Sequence, residues 1–218
     1  MKTLIFPISL LIFVVLPFIS CAVVPSGRID PVTPEPLPPG VILVRPAVPS
    51  YIMSVGMVSA ENMALFLLQN NPSLDPAFAY EISVIYTEEA AFEGVNHDIA
   101  FVQMILETGF LRFGGDVRPE QNNFGGLGAI GGGEPGLAFE STRIGVRAQV
   151  QHLKAYGCVE PLNGELVMPL NGPPRFRFVR RGIAPTFDGL TGTWAMDPYY
   201  ADKIRAILER LYEFSFGA

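Results

Sequence analysis

Apolar positions recur along the chain at intervals that predict five helices. After Ser59, the residues Met63, Leu65, Phe66 and Leu67 follow Glu61-Asn62 in a first turn, and the run ends near Asn70-Asn71-Pro72, where proline cannot continue a helix. Asp75-Pro76 pairs an N-cap with a proline at the first helical position, and Ile82, Ile85 and Tyr86 carry that helix to Gly94. The third runs from Asn96 to Gly109. It is apolar nearly all round between Ile99 and Leu106, the pattern of a helix enclosed by others. A fourth is predicted from about Ser141 to Tyr156, and a fifth opens at Asp197-Pro198 with the stripe Tyr200, Ile204, Ile207, Leu208 and Leu211. Any β-structure must be small and lie between Asp116 and Glu140 or between Leu166 and Thr193.

The first 50 residues obey a different pattern. Lys2 precedes an apolar run from Leu4 to Ile19, interrupted by Pro7 and Pro17 and ending at Ser20-Cys21. A run this short, with two prolines, predicts an export signal and not a spanning helix. Phe18-Ile19-Ser20-Cys21 resembles a bacterial lipobox, in which the cysteine is lipidated and becomes the mature N-terminus, although Phe18 stands where the pattern prefers Leu. The alternative is ordinary cleavage after Ala22. From Ala22 to about Ser50, eight prolines between Pro25 and Pro49 deny helix and favour an extended tether; Val41-Ile42-Leu43-Val44 could be a short strand docking on the domain. The expected organisation is a signal with lipobox over 1–21, a tether over 22–50 and one domain over 51–218, in a protein exported and anchored by Cys21 to the cell envelope.

Composition narrows the chemistry. In 218 residues, 21 Asp and Glu outnumber 15 Lys and Arg, for a net charge of −6, which argues against a nucleic-acid partner because phosphate binding needs a basic face. Two cysteines and two histidines support neither a disulfide scaffold nor a zinc site, and no metal or organic cofactor is implied. Cys158 reads as a small half-buried side chain, since no nucleophile pattern accompanies it.

Glu107 is the most informative residue. It ends the enclosed helix directly after Val102 to Leu106, where low dielectric and the negative end of the helix dipole both disfavour ionisation. A carboxyl kept protonated near neutral pH can act as a general acid; the other reading is a glutamate at a frayed helix end. Gly126-Leu127-Gly128-Ala129-Ile130-Gly131 matches the dinucleotide fingerprint literally, but no buried strand precedes it and no helix follows, so a loop bordering a cleft is expected. His97 reads as a helix-start residue, His152 as surface or core, and Arg180-Arg181 as a solvated pair. Phe124, Tyr156, Trp194, Tyr199 and Tyr200 could stack on sugar rings, though each alone is more often core.

Four segments in order complete a pattern: Gln103-Met104-Ile105-Leu106-Glu107-Thr108-Gly109, then Asn122-Asn123-Phe124-Gly125, the helix Gly145 to Tyr156, and Trp194-Ala195-Met196-Asp197-Pro198-Tyr199-Tyr200 through Ile204. Together they resemble the bacterial glucosaminidase domain, glycoside hydrolase family 73, over roughly residues 75 to 213. The resemblance implies a mainly α (α+β lysozyme-like) fold, with a helical lobe and a small glycine-rich β-lobe bordering a cleft. It implies an endo-β-N-acetylglucosaminidase cutting the β-1,4 bond after N-acetylglucosamine in peptidoglycan. Glu107 takes the place of the family's acid, Asn123 and Phe124 would line the cleft, and the Trp194 to Tyr199 segment would form its other wall. Many members carry Tyr where Trp194 stands, and a second acidic residue in the β-lobe; here Glu134 and Glu140 are the candidates. If neither serves, the substrate's own N-acetyl group can attack the anomeric carbon. A glycan-binding lipoprotein without catalysis, or a muramidase or lytic transglycosylase on the same fold, are the competing readings.

Overall fold

The computed structural model describes residues 45–217, apart from Ile130 and Glu134. The expected export signal, Cys21, Val41 to Val44 and most of the expected tether lie outside the described residues.

Five α-helices form where the periodicity places them: α1 Ala60–Asn70, α2 Pro76–Glu93, α3 His97–Thr108, α4 Thr142–Gly157 and α5 Tyr200–Phe216. Four start on side-chain caps. Ser59 Oγ accepts from Asn62 N (3.2 Å), Asp75 Oδ1 from Ala77 N (3.0 Å), Asn96 Oδ1 from Asp98 N (2.9 Å), and Ser141 Oγ from Ile144 N (3.4 Å), each worth about 1 kcal/mol. The fifth begins two to three residues later than Asp197-Pro198 suggests. Asp197 instead makes a turn, accepting from Tyr199 N through Oδ1 (2.9 Å) and from Tyr200 N through its carbonyl (3.1 Å).

α3 is the axis of the molecule. Ile99, Ala100, Phe101, Val102, Met104 and Ile105 are all fully buried, because α2, α4 and α5 pack around it. Burying a side chain of this size stabilises by about 1.5–3 kcal/mol. A second seam joins α2 to α4 through charge. Glu89 accepts from Arg147 Nε (2.6 Å) and Arg143 Nη1 (2.7 Å), while buried Glu93 accepts from Lys154 Nζ (2.9 Å) and Asn163 N (2.9 Å).

The expected β-lobe has no strand among the described residues, only isolated bridges at Tyr51–Thr186 and Thr191–Ala195. The physical reason is composition: glycine-rich backbone between Gly125 and Gly136 offers few side chains to pack on a sheet surface. The lobe is a coil held to α4 by a small apolar cluster of Leu127, Leu137, Phe139 and Ala148. At the other end, the last residues of the proline-rich segment already lie on the domain. Val48 packs against the core, Ser50 O accepts from Phe187 N (3.0 Å) and Ile52 N donates to Pro185 O (2.9 Å).

Candidate active site

The site begins where α3 ends. After Thr108 the backbone turns left-handed at Gly109, Phe110 and Leu111 (φ 58°, 59° and 60°) and again at Phe113 (φ 49°). For a residue with a Cβ this conformation costs about 1–2 kcal/mol, so the surroundings must enforce it. Thr108 Oγ1 accepts from Leu111 N (2.9 Å), Thr108 O from Phe113 N (2.9 Å), and Phe110 O from Asn71 Nδ2 (2.8 Å). The Phe110 ring packs 6.1 Å from that of Phe66. The chain therefore reverses immediately beyond Glu107 and lays residues 113–117 along a cleft of about 550 Å³. Glu107, Phe113, Asp116, Gly126, Trp194 and Met196 are among its lining residues.

Glu107 is half-buried at the cleft's inner side. Tyr200, the first residue of α5, donates its hydroxyl to Glu107 Oε1, and Gln103 Nε2 donates to the Tyr200 oxygen (3.1 Å). Burial raises the Glu107 pKa above the usual carboxylate value; Tyr200 and the Trp194 indole act in the opposite direction without cancelling it. No cation is paired with this carboxylate among the described residues. This is an acid held toward its protonated form by desolvation and met by neutral donors.

The opposite wall depends on glycine and on a buried amide. A Cβ at Gly126 (φ +63°) would stand 2.9 Å from Glu107 Oε2, so the backbone passes this oxygen only because the residue is glycine. Asn123, fully buried, accepts from Leu127 N (2.9 Å) and donates to Leu127 O and Leu137 O (both 2.9 Å), closing the loop on itself. Phe124 is buried with its ring 6.4 Å from that of Phe113. Both residues shape the wall from behind it. The literal glycine fingerprint is a loop with Gly126, Ala129 and Gly131 on the cleft, and no helix follows.

Trp194 forms the third side. Its ring lies 5.4 Å from Tyr156 and 5.8 Å from His152, and Tyr156 donates its hydroxyl to Thr193 O (3.0 Å), fixing the Trp194 segment to α4. His152 is core: burial, helped by nearby Arg175, lowers its pKa to about 4, so it is neutral at ordinary pH. His97 opens α3, its Nε2 3.0 Å from Val58 O. Cys158 is half-buried and free.

Of the residues predicted for the site, Glu107 and Trp194 share the cleft. Tyr156, Asn123 and Phe124 support its walls. Tyr199 stands exposed ahead of α5, and Glu140 is exposed just before α4, outside the cleft lining; Glu134 lies outside the described residues. Two participants escape the sequence reading of the site, and a third is read there only as an aromatic that could stack on sugar. Gln103 lies inside the apolar helix, Asp116 follows two glycines, and Tyr200, also part of the α5 stripe, is a hydrogen-bond donor to Glu107. Asp116 lines the cleft and accepts from Gly133 N (2.9 Å). A polar side chain on an otherwise apolar helix face, as at Gln103, was the available signal.

A protonatable carboxyl opening into a broad aromatic-walled cleft on a mainly α, lysozyme-like scaffold is a group chemically able to donate a proton to a bound molecule. The chain belongs to the mannosyl-glycoprotein endo-beta-N-acetylglucosaminidase family, whose model matches residues 83–213. Membership points to a glycoside hydrolase acting on peptidoglycan. An uncharacterized protein of Borreliella burgdorferi (strain ATCC 35210 / DSM 4680 / CIP 102532 / B31) is 39% identical over 165 residues, covering 76% of this chain and 78% of that protein. No solved structure matches the chain.

Proposed function

We propose that the protein is an endo-β-N-acetylglucosaminidase that cleaves the β-1,4 bond on the reducing side of N-acetylglucosamine in peptidoglycan, with Glu107 as general acid. The observation that carries this reading is the Glu107 carboxyl itself: desolvated, raised in pKa, without a cationic partner among the described residues, and open to a cleft walled by three separate segments. Its proton passes to the glycosidic oxygen as the C1–O bond breaks, which makes that oxygen a neutral leaving group. Water then supplies hydroxyl to C1, and its remaining proton returns to a carboxylate. Two routes differ in what attacks C1. An inverting enzyme uses water activated by a second carboxylate roughly 6.5–9.5 Å from the acid, a position for which Asp116 is the candidate on the cleft wall. A substrate-assisted enzyme uses the acetamido oxygen of the sugar.

The test is mass spectrometry of borohydride-reduced fragments from peptidoglycan digested by the protein and by Glu107→Gln. Reduced glucosamine ends, absent with the variant, are expected. Reduced muramic ends would mean a muramidase, anhydro-muramic ends a transglycosylase, and bound but uncut glycan a binding protein. Asp116→Asn and the pair Glu134→Gln/Glu140→Gln distinguish the routes, since turnover near wild type in all of them supports attack by the substrate's own acetamido group.

The reading extends to the N-terminus: the chain is exported and held at the cell envelope by lipid on Cys21, with the tether giving the domain reach toward the wall. An acylated Cys21 in the intact mass of the native protein is the expected result, and a mature chain starting at Val23 without lipid would overturn it.

A further inference from the structure

The contact between Tyr200 and Glu107 is the end of a longer chain. Tyr86 on α2 donates its hydroxyl to Gln149 Oε1 on α4 (2.6 Å). Gln149 Nε2 donates to Gln103 Oε1 on α3 (2.8 Å) and to the Ala100 carbonyl (3.0 Å). Gln103 Nε2 donates to the Tyr200 oxygen on α5 (3.1 Å), and Tyr200 donates to Glu107 Oε1. Every donor points toward the carboxylate. Tyr86, Gln103 and Gln149 are fully buried and Tyr200 nearly so (4% exposed), so bulk water does not compete for the links that lead to Tyr200.

The direction has a physical cause. A backbone carbonyl only accepts, so Ala100 fixes which end of the Gln149 amide faces it. Flipping Gln149 would set its oxygen against both the Ala100 carbonyl and Gln103 Oε1. With Gln149 fixed, Gln103 must turn its oxygen to α4 and its nitrogen to α5. The Tyr200 oxygen, already receiving an N–H, turns its own proton to Glu107 Oε1. A Glu107 proton on Oε1 would then meet another proton. It belongs on Oε2, the oxygen that faces Gly126 of the cleft wall, where a Cβ would stand 2.9 Å away.

We propose that Gln103, itself held by Gln149, is a positioning residue that keeps Tyr200 a permanent donor to Glu107 Oε1, so that the proton given to the leaving oxygen is carried on Oε2. This rests on the reading of Glu107 as the acid. The arrangement also serves the step itself: the oxygen already receiving a hydrogen bond helps carry the negative charge left when the proton departs, and linked donors strengthen one another. Other titratable groups near the carboxyl are few among the described residues. Asp116 shares the cleft, and Tyr156 acts on Tyr200 from α4.

The test follows the titration of Glu107 by ¹³C NMR of the glutamate-labelled full chain in mild detergent, assigned with Glu107→Gln, beside the pH profile of peptidoglycan cleavage. Gln103→Met keeps the volume but removes the donor. Gln103→Glu puts an acceptor where Tyr200 now receives an N–H and draws the tyrosine proton away from Glu107. Both variants are expected to move the Glu107 titration upward by about half a pH unit or more, with Gln103→Glu moving it further. The high-pH limb of turnover moves the same way, and kcat falls about tenfold with KM changed less than about twofold. Gln151→Met breaks an equally buried amide bonded to Glu165 O (2.8 Å) and Val167 N (3.0 Å) outside the chain; it should lower the melting temperature without moving the titration. A folded Gln103→Met whose Glu107 titrates at the wild-type pH would overturn the proposal. Wild-type protein that leaves peptidoglycan uncut would instead overturn the catalytic reading, while the NMR arm still decides the orientation of the chain.

Discussion

Glu89 and Glu107 are the same residue type in two opposite situations. Both carboxylates are withdrawn from solvent, and burial pushes both toward the protonated form. At Glu89 hydrogen bonds and charge from Arg147 and Arg143 outweigh that push and its pKa falls below the ordinary value. At Glu107 the partners are a phenol and an indole, which lower the pKa too weakly to cancel burial, and it stays raised. One carboxylate fastens α2 to α4; the other is the acid proposed above. Among the described residues the number of guanidinium partners, two against none, separates the two.

The comparison breaks most visibly at Glu107, the proposed acid. Glu107→Gln should lower peptidoglycan cleavage about 10³-fold, the scale of a lost general acid, read from the rate at which reducing ends appear. Glu89→Gln should leave cleavage per folded molecule intact and lower the unfolding free energy by about 2 kcal/mol, because two arginines lose a charged acceptor; urea denaturation measures it. Gly126→Ala comes next. A methyl group there meets Glu107 Oε2, and an L-residue at φ +63° is strained, so turnover should fall about tenfold with about 1 kcal/mol of stability lost.

The smallest effect sharpens the contrast by its sign. A carboxyl raised in the folded state favours folding below its unfolded value of about 4.3, and that advantage is lost as pH rises through the folded value. The lowered Glu89 works in reverse: its contribution is present above that same unfolded value and is lost as pH falls through the folded one. Glu107→Gln should therefore melt slightly higher than wild type at neutral pH and equal to it near pH 4, whereas the deficit of Glu89→Gln should shrink on acidification. Thermal melts at several pH values separate the two curves.

The helices were legible because their signals are local. Ser59, Asp75, Asn96 and Ser141 cap within three residues of themselves, and the apolar period does the rest. Glu107 was legible for the same reason, since its place at the end of an enclosed helix follows from neighbours in sequence. What supports it was not. Gln103 finds Tyr200 across 97 residues and Gln149 across 46, and no periodicity announces a partner that distant. The left-handed turn was hidden too, because Phe110 and Leu111 have no preference for that conformation and adopt it under tertiary constraint. The coil lobe differs from the expected β-lobe because glycine lowers strand propensity without itself specifying an alternative.

Consider finally where the proline-rich segment meets the domain. Ser50 and Ile52 bond to Phe187 and Pro185, and the chain continues from there through the 3₁₀ turn Phe187–Leu190 to Trp194 on the cleft. A protein shortened from its N-terminus past Ile52 would lose the brace of its own tryptophan wall. The stretch that reaches the domain ahead of its helices is thus also a support for the cleft, through the 185–187 strip.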